Sequence, residues 1–187
     1  MDTLSELVET VLKPQKKLPE RQRYECFKKL LKMSEEAPET LYPYWDSFAN
    51  ELEDANSDHK YEGVLILANL AKVDREGMSK KIISRYLELL ADESFVVALN
   101  AANNVGKFAK VQRELQERIT RALLDLTTTK HKHKDLLMSG AVISFNEYFE
   151  DSQDKEKIIE FVKKLETGES PKARKLAKQF CRNHLSE

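Results

Sequence analysis

Glycine and proline are scarce in this chain. Its 187 residues include only five of each, too few turn formers for a β-sandwich or barrel with its many tight connections, whereas helices joined by short loops need few. Cysteine is almost absent as well. Cys26 and Cys181 lie near opposite ends and show no CxxC or other ligand spacing, which excludes a disulfide framework and fits buried or inert thiols in a reducing compartment. No apolar run approaches the ~18 residues needed to span a bilayer. The opening MDTLSELVETVLK is acidic where a signal peptide is basic, so the expectation is a soluble, cytoplasmic protein with no membrane partner. Nor does one sign of charge prevail. Asp, Glu, Lys and Arg make up 34% of the residues yet leave a net charge of −1, so no whole-chain field draws the protein to nucleic acid, membrane or an acidic substrate. Motifs of catalysis are missing too: there is no Gly-rich phosphate loop, no HExxH and no GxSxG. A non-enzymatic protein without a cofactor is therefore expected.

What the sequence does contain is helical periodicity. Apolar residues recur at steps of three and four, and the punctuation cuts the chain into about ten helices near 2–13, 19–36, 40–54, 58–73, 77–91, 93–110, 112–127, 133–150, 154–167 and 171–186. Pro14 and Pro19 bracket a linker, and Pro38 pushes Ala37 out of the helical region. Asp92 is placed to cap the sixth helix, while Gly168, Ser170 and Pro171 read as a stop, a cap and a first helical residue. Pro43 either starts the third helix or kinks it. The length suits a single domain, residues 1–187.

Placing Leu31, Leu70, Phe108, Tyr148 and Phe180 at one equivalent position gives spacings of 39, 38, 40 and 32 residues, near the ~40 of two-helix solenoid repeats. LAKV at 70–73 parallels FAKV at 108–111, VLILANLAK at 64–72 has the texture of ALNAANNVGKFAK, and Ala173-Arg174-Lys175-Leu176-Ala177 looks like a Val-Arg-x-x-Ala segment. With these features the chain resembles the HEAT-repeat family, and more loosely the armadillo family. The resemblance implies an all-α fold, an α-α superhelix (HEAT-like solenoid) of about ten helices in five pairs, and it speaks to fold far more than to function.

The sixth helix, SFVVALNAANNVGKFAK at 94–110, is built of Ala, Gly and Asn. On a helical wheel Phe95, Ala98, Leu99, Ala102, Val105, Gly106 and Ala109 share one face whose small residues let neighbouring backbones approach. The opposite face carries Asn100, Asn103, Lys107 and Lys110, and in a solenoid it lines the concave groove. The same register in neighbouring repeats adds Glu62, Leu65, Asn69 and Lys72, then Ser139, Ile143, Glu147 and Glu150, then Lys172, Lys175, Gln179 and Arg182. Amides at the centre, acids beside them and bases towards the C-terminus suit a protein or peptide partner better than a polyanion, because an amide both donates and accepts along an extended chain. The competing reading is of solvated polar positions with no partner.

Three local features add alternatives. From Glu35 to Asp58 there are eight acids and no Lys or Arg, together with Tyr42, Tyr44, Trp45 and Phe48. That stretch reads either as a dock for a basic segment or as aromatics packing helix three while the acids face water. Downstream, TTTKHKHKD at 127–135 offers Lys130, Lys132 and Lys134 as a basic patch for nucleic acid, or a solvated basic loop. His131 and His133 alone leave most of a metal's coordination shell unsupplied, so no metal is expected there. The DNA-alkylation-repair glycosylases are also built of HEAT-like repeats around a basic groove with aromatic residues and an acid. Here the only Trp, Trp45, precedes Asp46 in an acidic segment, and no catalytic residue is carried over.

Overall fold

A computed structural model of the protein describes residues 3–12 and 19–185, which form α-helices and short 3₁₀ turns with no strand among them. The linker expected after Pro14, the outermost residues of the first expected helix and position 186 of the last lie outside the described residues. By internal contact the chain forms two compact units, Met1–Ile82 and Ile83–Glu187.

The first unit holds α1 (Leu4–Leu12), α2 (Glu20–Glu36), α3 (Pro38–Leu41), α4 (Trp45–Glu51), α5 (Ser57–Leu70) and the start of α6 (Met78–Glu88). Thr3 and Glu6 open α1 with a capping box, Glu6 N–H donating to Thr3 Oγ1 (3.3 Å) and Thr3 N–H to Glu6 Oε2 (2.6 Å). Pro43 neither begins a helix nor merely bends one: the 3₁₀ turn Tyr42–Tyr44 separates α3 from α4, because proline has no N–H to continue the ladder. Asn56 caps α5 by accepting from Asp58 N–H (2.9 Å). Asp74 accepts from Met78 N–H (2.9 Å), Ser79 N–H (2.7 Å) and Tyr42 Oη–H (2.8 Å), tying the start of α6 to the Tyr42 turn. Burial pushes the Asp74 carboxyl up, but these donors outweigh it and hold it below the ordinary range. The core is formed by Val11, Phe27, Leu30, Leu41, Phe48, Leu52, Ile66, Leu67 and Leu70, with Trp45 and Phe48 both buried. Packing is therefore the fate of those two aromatics, while Tyr42 and Tyr44 are half-buried.

The second unit continues with α7 (Phe95–Asn104), α8 (Gly106–Val111), α9 (Gln116–Leu124), α10 (Lys134–Tyr148), α11 (Lys155–Leu165) and α12 (Pro171–Leu185). Asp92 accepts from Ser94 N–H (2.9 Å) just ahead of α7. Ser170 caps α12 through Ala173 N–H (3.3 Å), with Pro171 as first helical residue. In the Val-Arg-x-x-Ala-like segment, Arg174 donates to the carbonyls of Gly168 and Glu169, both at 2.8 Å, and pins the preceding turn.

The helix expected over 93–110 is two helices, broken at Val105. Gly106 N–H, which would bond Ala102 C=O in an unbroken helix, donates instead to Ser144 Oγ of α10 (2.9 Å), and that hydroxyl donates to Ala102 C=O (2.6 Å). A side chain inserted into the i→i−4 ladder is a recognised cause of a kink. The two helices touch through glycines on both sides. A Cβ at Gly106 would lie 2.2 Å from Ser144 O, and one at Gly140 would lie 2.9 Å from Ala102 Cβ. The expected wheel holds only in part, already within α7 ahead of the break. Val97, Ala101 and Phe108 are buried with Ala98, Ala102, Val105 and Ala109, whereas Phe95 and Leu99 are half-buried.

Gly106→Ala is expected to destabilise the protein by about 2 kcal/mol or more, since the new methyl meets backbone that cannot turn away. Urea unfolding checks this, and an unchanged midpoint would mean that α8 and α10 do not approach as described.

Candidate functional site

Side chains assigned by sequence to a partner-facing groove divide, in the structure, into those that fasten one repeat to the next and those that remain at the surface. In the first unit two expectations are corrected. Glu62 is 2% exposed and pairs with Arg23 (Oε2 to Nη1, 2.8 Å). Asn69 is 7% exposed and donates through Nδ2 to Ser34 Oγ (2.8 Å). Both point from α5 into α2, because the second helix of one repeat stacks on that of the preceding one and the polar stripe facing it is covered. Lys72 stays exposed with its ammonium on Glu35 C=O, and Leu65 is half-buried.

In the second unit Lys110 of α8 pairs with Glu147 of α10 (2.9 Å), and Arg113 with Asp151 (2.9 Å). His184 of α12 meets Glu150 (2.6 Å) and Asn146 Oδ1 (2.9 Å) of α10. Within the two units, these inter-helix hydrogen bonds join residues 34 to 42 apart, the repeat length written in side-chain contacts. Being exposed, pairs such as Lys110–Glu147 contribute about 0–1 kcal/mol each; their consequence is that opposite charges on this face cancel locally.

Asn100, Asn103 and Lys107 of α7 and α8 and Ile143 of α10 remain half-exposed. Asn100 Nδ2 donates to its own helix at Val96 C=O (2.8 Å), as Asn146 does to Val142 C=O (3.0 Å). Asn103 Oδ1 is buried against Gly140, 2.8 Å from where a Cβ would stand, and has no hydrogen-bond partner among the described residues. Asn103 faces Gly140 and Lys110 faces Glu147 at one offset of 37 residues, so α7–α8 and α10 run parallel. Ile143, one turn beyond Gly140, lies on the same face. The result is a strip of amide and apolar surface bounded by a neutralised ion pair.

Elsewhere the structure sorts the remaining expectations. His131 and His133 flank the ring of Phe95 at 6.1 and 5.4 Å. Lys130 and Lys132 are exposed beside them, and Lys134 is half-buried at the start of α10. A polar cleft of about 650 Å³ between α9 and the α10–α11 connection is lined by pairs already satisfied within it, Arg113–Asp151, Arg121–Glu117 and Lys157–Asp154. No sequence signal singled out the cluster of Arg23, Glu51, Asp54, His59 and Glu62, because its members are scattered over three helices and a loop. His59 Nδ1 lies 3.1 Å from Asp54 Oδ2 and 3.5 Å from Glu51 Oε2. Burial raises the carboxyls of Glu51 and Glu62 above the usual range, with His59 and Arg23 offsetting only part of it.

No protein-family model matches the chain, and no curated protein matches it. Solved structures do. A computationally designed armadillo repeat protein for modular peptide recognition superposes with a TM-score of 0.66 at 19% identity, over 97% of this chain and 82% of that one. The designed armadillo repeat protein YIII(Dq.V1)4CPAF, in complex with the peptide (KR)4, gives the same TM-score, identity and coverage. The fold is therefore an all-α helical repeat of the HEAT/armadillo kind.

Removing one partner from a buried ion pair leaves an uncompensated charge. Glu62→Leu is accordingly expected to cost about 3 kcal/mol, and the double change Arg23→Met with Glu62→Leu to recover most of it. A double-mutant cycle by urea unfolding measures this; two single effects that simply add would contradict the pairing.

Proposed function

We propose that the protein is a non-enzymatic interaction module of the cytoplasm, working without a cofactor, whose 187 residues act as one repeat domain that binds an extended peptide or a segment of a partner protein. The observation that carries this reading is the strip of Asn100, Asn103 and Lys107 beside Ile143. It combines amides with apolar surface, and the adjacent Lys110 and Glu147 cancel each other. A polypeptide backbone presents donors and acceptors without net charge, which is what such a strip matches. Similarity to designed proteins built for peptide recognition, one of them bound to (KR)4, supports the same reading. In the first unit, taken by itself, Lys72 and Leu65 are surface positions of similar chemistry, and the acids between Glu35 and Asp58 that face water favour a ligand with basic residues.

Contact with nucleic acid is the second reading, favoured by the exposed Lys130 and Lys132 with Lys134 behind them. It ranks lower because Lys110 and Arg113, which belong to the same basic stretch, already pair with Glu147 and Asp151. A phosphate-tracking surface needs such cations free to release counterions.

Labelled extended peptides of alternating Lys-Arg, alternating Glu-Ser and neutral composition, titrated by fluorescence polarisation, test the first reading. At least one is expected to bind with Kd at or below about 10 μM, and Asn100→Ala with Asn103→Ala to weaken it at least tenfold while circular dichroism stays helical. Binding that ignores the double change would remove the strip from consideration. For the second reading, a duplex-DNA titration at low and physiological salt is expected to show no binding at the latter. Micromolar binding there, lost when Lys130, Lys132 and Lys134 are all changed to Glu, would reverse the ranking.

A further inference from the structure

We propose that Glu51, Asp54 and His59 form a binding site for one divalent transition-metal ion of the Zn²⁺ class, clamping the end of α4 to the start of α5. Glu51 is the last residue of α4, Asp54 lies in the connection, and His59 is in the first turn of α5. Their donor atoms all lie within 4.8 Å of one another, the one group of three such residues found among those described. The separations from His59 Nδ1, 3.1 Å to Asp54 Oδ2 and 3.5 Å to Glu51 Oε2, straddle the ~3.4 Å that separates donors around a tetrahedral ion with bonds of ~2.1 Å.

A second, independent feature points to a ligand. Glu51 is 7% exposed, and its Oε2, aimed at His59, is buried with no hydrogen-bond partner among the described residues. A buried carboxylate oxygen without a donor is costly; a cation between Glu51, Asp54 and His59 would supply what it lacks. Charge points the same way. Glu51, Asp54 and Glu62 bring three carboxylates together beside His59, with Arg23 paired to Glu62 at 2.8 Å.

The surroundings also support a built site. Asp54 Oδ1 accepts from Asn56 N–H (2.7 Å), which turns Oδ2 towards His59, the kind of outer contact that orients metal ligands. Gly63 faces Glu51, where a Cβ would stand 3.1 Å from the Glu51 Cβ, so the glycine leaves room for the acid. One imidazole and two carboxylates fit Zn²⁺ and its first-row neighbours, whereas Ca²⁺ and Mg²⁺ prefer oxygen alone. Asp54 is half-exposed, which leaves an entry path and a coordination position for water.

The test is calorimetric titration of the full metal-stripped chain with ZnCl₂ at neutral pH, alongside thermal unfolding. One ion per chain with Kd below about 10 μM is expected, with a rise in Tm of about 5 °C or more at a hundredfold excess over Kd. Asp54→Asn, which keeps the bond from Asn56, and His59→Gln should each weaken binding at least tenfold and abolish the Tm shift. A chain with His131→Ala and His133→Ala should bind like the wild type. If His59→Gln fails to fold, Asp54→Asn decides. Wild-type binding weaker than that limit, binding untouched by Asp54→Asn, or binding lost in the His131/His133 variant would each overturn the site.

Discussion

A single hydroxyl does the work of a missing backbone bond at the centre of the second unit. Ser144 Oγ stands between Gly106 N–H and Ala102 C=O, taking the proton of one and giving its own to the other. In a regular helix those two backbone groups would bond each other, so the break at Val105 leaves neither orphaned and costs little hydrogen bonding. The exchange works because α8 and α10 approach at backbone contact where Gly106 has no side chain to obstruct it, and Gly140 of α10 allows the same closeness against α7. Around this point Lys110 meets Glu147 and Asn103 meets Gly140 in one parallel register. The helix that looked short of core-forming side chains contributes proximity where others contribute bulk, and tight interdigitation rewards it through many small dispersion contacts.

How much of this was legible in the sequence follows from the range over which each feature is encoded. Caps and helix periods are local, and most read correctly: Ser170 with Pro171 and the helical stretches themselves, within a residue or two at most ends, while Asp92 turns the chain ahead of α7 through Ser94 N–H and leaves the cap position to Ser94. The small-residue texture of 94–110 correctly announced a close contact. It did not reveal the break at Val105, because the cause, Ser144, lies 38 residues away and is an unremarkable serine in an apolar helix. Glu62 and Asn69 failed for a related reason. A helical wheel separates polar from apolar faces, yet in a stacked array a polar face can lie against the previous repeat, and Arg23 and Ser34 wait there. Polarity by itself does not distinguish a residue that faces water from one that faces a partner within the chain.

That distinction bears on what the surface can recognise. In a repeat array each rung must be fastened to the next, and polar residues on the inner helices are the natural fasteners because their spacing matches the repeat. Charges used in this way are withdrawn from ligands, as with Lys110 and Glu147, while side chains that satisfy themselves on their own helix stay presentable. Asn100 belongs to the second kind, its amide nitrogen returning to the carbonyl four residues back, whereas Asn146 makes the same return and also fastens α10 to α12 through His184. This back-bonding fixes the side chain against its helix, so a ligand meeting such an amide would pay less in lost rotamer freedom than one meeting a long, mobile lysine.

The acid-rich cluster of the first unit obeys the opposite logic. Arg23 and Glu62 form a fastener, with two buried charges, close geometry and a separation of 39 residues. Glu51, Asp54 and His59 lie within nine sequence positions and join no two repeats; they converge at one α-helical corner where α4 gives way to α5. Fastening between repeats explains the first pair and cannot explain the triplet. Burial for packing does not explain it either, since Leu or Met would fill the place of Glu51 beside Gly63 without carrying a charge out of water. Within the triplet His59 Nδ1 lies at hydrogen-bond distance from Asp54 Oδ2 (3.1 Å), while Glu51 Oε2, 3.5 Å from the same nitrogen, has no such bond among the described residues, and the convergence of these three atoms is the arrangement a cation requires.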